Sequence, residues 1–290
     1  MKKSNPSELN KNNRQDATMF SVVFVSKKEK KMYEKELLAM QKAALDAERW
    51  ILSVYQKDFE VEIKSDNSPV TEADKGADKL IRKELHEKFP NYAFLTEEST
   101  DDLSRRENDY VFIVDPVDGT KDFVSKDDEF TTNIALAYKG EIVVGVINIP
   151  CKNVMYYAIK GEGAYKLEKG KKPLRIHVSN KDNNLTCLVS RSFLNDKERA
   201  LIEKNKDKIT NVVPLGAAMK FCYIAEGLAD ISFRVSSNTK EWDIAAGDII
   251  LSEAGGIMKK PDGSVYTYNR IDVYNRDGYT LANKESNLLK

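Results

Sequence analysis

Two aspartates, Asp115 and Asp118, close the apolar run 110–114, with Pro116, Val117, Gly119 and Thr120 completing the segment. Glu97 and Glu98 stand shortly before it, and Trp242-Asp243 far beyond it. Pro116 fixes the backbone between the two aspartates, and Gly119 permits a turn that folds Asp118 back toward Asp115. Carboxylates held close together repel one another and take up protons unless cations neutralise them. Oxygen-only ligation selects Mg2+ or Mn2+ over softer metals, and Mg2+ commonly uses few carboxylates plus a substrate phosphate. The expected chemistry is therefore metal-dependent work on a phosphate. Each segment alone also has a plainer reading. Asp-Pro and Asp-Gly are ordinary turn dipeptides, Glu97-Glu98 suits a solvated link, Asp243 suits a helix cap and Trp242 suits the core.

The chain of 290 residues is long enough to fill a large core as a bilobed unit or two domains. Its 46 Lys and Arg balance 46 Asp and Glu, so no global basic field gathers a nucleic-acid polymer or an anionic membrane. An anionic substrate must be captured locally. Cys151, Cys187 and Cys222 are widely spaced, without a CxxC pattern, and read as core thiols of a reducing compartment. His86 and His177 are the only histidines, too few for a His-rich metal centre. The apolar stretch 19–25 is too short to span a membrane and lacks a signal-peptide cleavage pattern, so a cytoplasmic location is expected.

Around these residues the chain alternates helix-like and strand-like patterns. Residues 1–30 are expected to form a flexible extension with a short strand at 20–25. A helix begins near Lys31, its apolar stripe built from Leu37, Met40, Ala44, Ala47, Ile51 and Val54, and a second covers 73–88. Strands are predicted at 110–114, 131–138, 142–149 and 154–159, with Lys139-Gly140 as a tight turn and Gly161 and Gly163 ending the meander. The charged connection 166–172 suggests a lobe boundary. Beyond it, strands at 186–190, 212–213 and 231–233 alternate with helices at 196–206, 217–226 and 243–253. The pattern predicts an α+β fold of stacked helix and sheet layers. A mostly antiparallel first lobe (31–170) carries most of the acids, and a mixed α/β second lobe (171–290) contributes Asp243.

In this order, Glu97-Glu98, Asp115-Pro116-Val117-Asp118-Gly119-Thr120 and Trp242-Asp243-Ile244-Ala245-Ala246 resemble the signature of the lithium-sensitive, magnesium-dependent phosphatases. That family includes inositol monophosphatases and 3'(2'),5'-bisphosphate nucleotidases, and the resemblance runs from about residue 35 to 275. Lys121-Asp122-Phe123, the stretches 129–136 and 153–156, Ser190-Arg191-Ser192 and the stretch 220–227 are most similar to the bacterial nucleotidase branch. One departure stands out. The branch usually carries serines where this chain has Ala217-Ala218, which puts contacts to a phosphate or sugar in doubt.

The resemblance implies an αβαβα layering and two or three Mg2+ ions per site, with Mn2+ a possible substitute. It implies Glu97, Asp115, Asp118, Asp243 and the Val117 carbonyl as metal ligands. Gly119 and Thr120 would meet the phosphate through backbone amides, so that Glu97, Val117, Asp118, Gly119, Thr120 and Asp243 all border the substrate. Asp74 matches the family aspartate that partners the threonine of the motif; from the residues alone it could equally be a helix cap. Catalysis would fall to Glu97, Asp74 and Thr120, by direct attack of metal-activated water and without a covalent phosphoenzyme. The implied substrate is a small phosphorylated nucleotide, adenosine 3',5'-bisphosphate, cleaved to AMP in support of sulfate assimilation. Lys220, Arg191 and Arg234 are available for its second phosphate and base. The alternatives are an inositol monophosphatase or other small sugar-phosphate phosphatase, and a non-catalytic metal- or nucleotide-binding regulatory protein. The chain would act as a monomer or homodimer.

Overall fold

The computed structural model describes residues 32–64 and 69–289. The expected extension 1–30, with its strand at 20–25, lies outside the described residues. Helix α1 (Glu34–Tyr55) buries all six residues of the predicted stripe. A short antiparallel hairpin, β1 (Val61–Ile63) and β2 (Pro69–Thr71), then feeds α2 (Glu72–Lys88). Thr71 caps α2: its hydroxyl oxygen accepts from the Ala73 amide at 3.1 Å, while Asp74 accepts from the Thr71 amide at 2.8 Å. Two orphan donors at the helix start are thereby satisfied.

The chain next builds a seven-stranded sheet from β3 (Ala93–Thr96), β4 (Tyr110–Asp118), then, after the one-turn helix α3 (Thr120–Val124), β5 (Thr131–Tyr138), β6 (Glu141–Ile149), β7 (Val154–Ile159), β8 (Gly163–Glu168) and β9 (Leu174–Ile176). The strands follow chain order across the sheet, and β3–β4 is its one parallel pair. The meander therefore does not end at Gly161 and Gly163. Gly163 opens β8, part of the charged stretch 166–172 is strand, and the sheet runs past the division expected at 170.

The remainder forms β10 (Leu185–Ser190), α4 (Asp196–Lys204), β11 (Ile209–Leu215), α5 (Met219–Ala225), β12 (Ile231–Arg234), α6 (Glu241–Glu253), β13 (Ile257–Lys259) and β14 (Tyr279–Ala282). Its five-stranded sheet has the order β11-β10-β12-β14-β13, with parallel and antiparallel pairs. Helix α5 starts at Met219 and not at Ala217, because Ala217 takes a left-handed φ of 48°.

The cores reveal the layering. Phe112 and Val114 of β4 pack with α1 and α2, whereas Val111 and Ile113 face α5 and α6. Leu188 and Leu281 of the second sheet close on α5 and α6 from beyond, and Leu201 of α4 covers the outer face. The order is helices, sheet, helices, sheet, helix. With both faces covered, β4 reads as a continuous apolar run without polar alternation. Gly145 lets α6 lie flush on the first sheet: a Cβ there would stand 2.5 Å from Ile249 and 2.8 Å from the Ala246 carbonyl. Among the described residues, no helix is long and apolar enough to cross a membrane.

Candidate active site

Residues three apart on a regular strand point to opposite faces. Asp115 pairs with Asn133 and Asp118 with Thr131, so β4 carries one extra residue across this stretch. The bulge falls at Pro116-Val117, where proline has no amide to donate to the ladder, and it turns Asp118 onto the face of Asp115. Asn133 donates its side-chain amide to Asp118 at 3.2 Å, and Thr131 lies alongside, donating its hydroxyl to Asn133 at 2.8 Å.

Asp243 arrives from the first turn of α6, where one carboxylate oxygen accepts the Lys240 amide at 2.7 Å. Asp243 does serve the cap, and its carboxylate also stands beside two others. One oxygen from each of Asp115, Asp118 and Asp243 lies within 4.8 Å of the others. Asp115 is 1 % exposed, and its Oδ1 is buried with no hydrogen-bond partner. Burial, then the charges of Glu97, Asp118 and Asp243, hold the Asp115 carboxyl well above the usual range. Burial pushes Asp118 up to about 6, against the pull of Lys220, and pushes Asp243, helped by Asp118 and Glu97, up to about 8. Three crowded carboxylates, one of them with an orphaned buried oxygen, fit a divalent cation.

Glu97 lines the same cavity, just past the end of β3, and is not one of that close trio. Lys64, past β1, donates to Glu97 at 3.0 Å and also to Glu98. Burial raises Glu98 to about 7 despite Lys64. The Thr120 hydroxyl stands 3.1 Å from Asp74 Oδ1 and 3.1 Å from the Val117 carbonyl, so one proton serves two acceptors. Asp74 is thus both cap and partner of Thr120, the two readings that sequence left open.

Glu97, Asp115, Val117, Asp118, Thr120 and Asp243 line one wall of a cavity of about 530 Å3 whose other walls include Phe193, Ala217, Ala218, Lys220, Arg234 and Trp242. The Lys220 ammonium donates to the Ala217 carbonyl at 2.6 Å, and burial pushes its pKa down against the attraction of Asp118. Arg234 also borders the cavity but donates to Glu198 at 3.0 Å. Arg191 is not among the lining residues; it grips Glu129 at 2.7 and 2.8 Å.

Two neighbours escaped the sequence reading. Lys64 opens the polar stretch 64–68 of the sequence, with no local pattern to mark it. Phe193, a large apolar side chain 49 % exposed, has the Lys121 ammonium 4.2 Å and the Arg234 guanidinium 5.5 Å from its ring centre. An aromatic among Arg191, Ser192 and Leu194 was the available signal.

The profile of the inositol monophosphatase family matches residues 33–288. The chain belongs to that family. It is 34 % identical over 258 residues to the 3'(2'),5'-bisphosphate nucleotidase CysQ of Buchnera aphidicola, covering 87 % of this chain and 95 % of that relative. It is also 33 % identical over 227 residues to the Nus factor SuhB of Pasteurella multocida, covering 75 % and 82 %. The crystal structure of CysQ from Bacteroides thetaiotaomicron superposes with a TM-score of 0.76 at 34 % identity, covering 87 % of this chain and 99 % of the other. That of SuhB from Bartonella henselae gives 0.75 at 27 %, covering 87 % and 95 %. Family and relatives support a phosphatase acting on small phosphorylated substrates, in a family that is generally Mg2+-dependent.

Proposed function

We propose that this chain is a 3'(2'),5'-bisphosphate nucleotidase that hydrolyses adenosine 3',5'-bisphosphate to AMP and phosphate. The observation that carries the reading is the juxtaposition, in one cavity, of the Asp115–Asp118–Asp243 oxygens with the half-exposed aromatic side chain of Phe193. A cavity of about 530 Å3 lies within the range typical of small-molecule sites. The acids serve the phosphate, and Phe193 offers a stacking surface for a base.

Glu97, Asp115, Asp118, Asp243 and the Val117 carbonyl would hold Mg2+, in two or three ions. When bound there, Mg2+ supplies Lewis-acid polarisation of the phosphate and of water. The chain's own residues do the positioning. Asp74 accepts the Thr120 proton in a hydrogen bond, which leaves the threonine oxygen free to accept from the attacking water. Water oxygen adds to phosphorus as the bond from phosphorus to the ribose oxygen breaks; one water proton ends on the departing ribose oxygen and the other stays with the released phosphate. Gly119 and Thr120 offer backbone amides to the phosphate. Lys220 balances charge beside Asp118, and Arg234 borders the remainder of the substrate. Arg191 acts indirectly, by fastening Glu129.

The test is phosphate release with Mg2+ on adenosine 3',5'-bisphosphate, inositol 1-phosphate and fructose 1,6-bisphosphate, compared by kcat/KM. A strong preference for the nucleotide is expected. Preference for a sugar phosphate would keep the metal chemistry and replace the substrate. No turnover on any of the three, with metal bound and the fold intact, would favour a non-catalytic binding protein.

A further inference from the structure

Asp243 comes from a different part of the chain than the other acids, so something must fix its distance from them. Two residues before it, Glu241 is fully buried and accepts the Asn269 amide at 2.7 Å, the Arg270 amide at 2.8 Å and the Arg270 side chain at 3.0 Å. The same two residues are gripped from the opposite side. Arg105, in the turn between β3 and β4, donates to the Asn269 side-chain oxygen at 2.5 Å and to the Arg270 carbonyl at 2.8 Å. Arg105 is 2 % exposed, and Asp101 holds its guanidinium at 2.8 and 3.1 Å. Asn269 itself takes a left-handed φ of 59°, a conformation that asparagine adopts more readily than most residues and that these contacts hold in place. The chain carries Glu97 to Asp101 and Glu241 to Asp243; between them, part-buried charge-assisted bonds run from Asp101 through Arg105 and the 269–270 strip to Glu241.

We propose that Arg105 is a positioning residue: by clamping the 269–270 strip onto Glu241, it sets the place of Asp243 relative to Glu97, Asp115 and Asp118, and so sets divalent-cation affinity. The proposal rests on the reading that these carboxylates bind metal. A carboxylate displaced by a fraction of an ångström still ligates, but more weakly. Groups bonded directly to metal ligands are typically worth about ten- to a hundredfold in affinity, and Arg105, acting from further out, belongs at the lower end of that range.

The experiment is Mn2+ titration of the full chain, without substrate, by calorimetry and by electron paramagnetic resonance. Arg105→Met is expected to weaken the Asp243-dependent site about tenfold or more. Arg105→Lys, which keeps the charge but loses the fork, should recover only part of the loss. At saturating Mg2+ the Arg105→Met kcat should return to near native, since no reacting group has been removed. A core variant of matched thermal destabilisation, Ile224→Val, should leave Mn2+ affinity unchanged. Should Arg105→Met fail to fold, Asn269→Gly removes the acceptor while tolerating the left-handed backbone, and it should weaken Mn2+ in the same way. Lowered Tm with native Mn2+ affinity in these variants would overturn the proposal. If Asp243→Asn binds Mn2+ as well as the native chain, the metal role of Asp243 is what fails, and the clamp fails with it.

Discussion

Asp74 divides its carboxylate between two tasks: Oδ2 accepts from the Thr71 amide and hydroxyl at 2.8 and 2.7 Å, and Oδ1 faces the Thr120 hydroxyl at 3.1 Å. The start of α2 and the turn after β4 are thus joined by one side chain. Replacing Thr120 by Ala should lower kcat by about a hundredfold or more, the usual worth of a positioned proton acceptor, with metal affinity little changed. Asp74→Asn retains an oxygen for the cap but can present a donor to Thr120, so kcat should fall while stability changes by about 1 kcal/mol or less. Steady-state kinetics paired with thermal melts separate the two tasks; near-native kcat in both variants would remove the pair from the mechanism.

Metal removal should reveal the crowding of the acids. A carboxyl whose folded pKa lies above its unfolded value adds stability that is complete below about pH 4 and is lost as pH rises through the folded pKa. For the metal-free chain those values are about 6 at Asp118 and about 8 at Asp243. The melting temperature in EDTA should therefore fall between pH 5 and 8, and added Mg2+ should restore most of it at pH 8. Over the same window Mg2+ affinity should rise with pH, because each ligand must give up its proton. A melting temperature in EDTA that is flat across this window would contradict the assignment.

Asp118→Asn strips charge from the β4 bulge while keeping the bond geometry to Asn133. Turnover should drop at least about a hundredfold, since a cation site supplies several kcal/mol of charge stabilisation and each 1.36 kcal/mol is tenfold. Far-ultraviolet circular dichroism should be unchanged. Near-normal turnover at saturating substrate would show that Asp118 is not a ligand.

Phe193→Ala tests the base surface. Stacking on an aromatic side chain is worth about 1–3 kcal/mol per base, so KM for adenosine 3',5'-bisphosphate should rise about tenfold. Hydrolysis of inositol 1-phosphate, which has no base, should be unaffected. An equal loss on both substrates would mean that Phe193 shapes the cavity without reading the base.

What sequence could and could not reveal follows from where the information lies. Strands β5 and β7 were legible to the residue, because both are long apolar or β-branched runs bounded by turn signals. Strand β11 was read only as its centre, since Thr210, Asn211 and Val212 are exposed on an edge and Pro214 lies within it. Hairpin β1–β2 and strand β9 are three residues per strand, too short for any period to emerge. At the site, the acids announced themselves through local chemistry. Lys64 and Arg105 did not, because what they do depends on partners 33 and 164 residues away.

The absent side chain at Gly145 has a reach beyond its own strand. With any Cβ there, Ile249 and the Ala246 backbone would have to retreat, and α6 would ride higher on the sheet. The helix bears Asp243 at its first turn, so its elevation is also the aperture of the acid trio. A buried position with no functional group would then act as the spacer that sets how far Asp243 stands from Asp115 and Asp118.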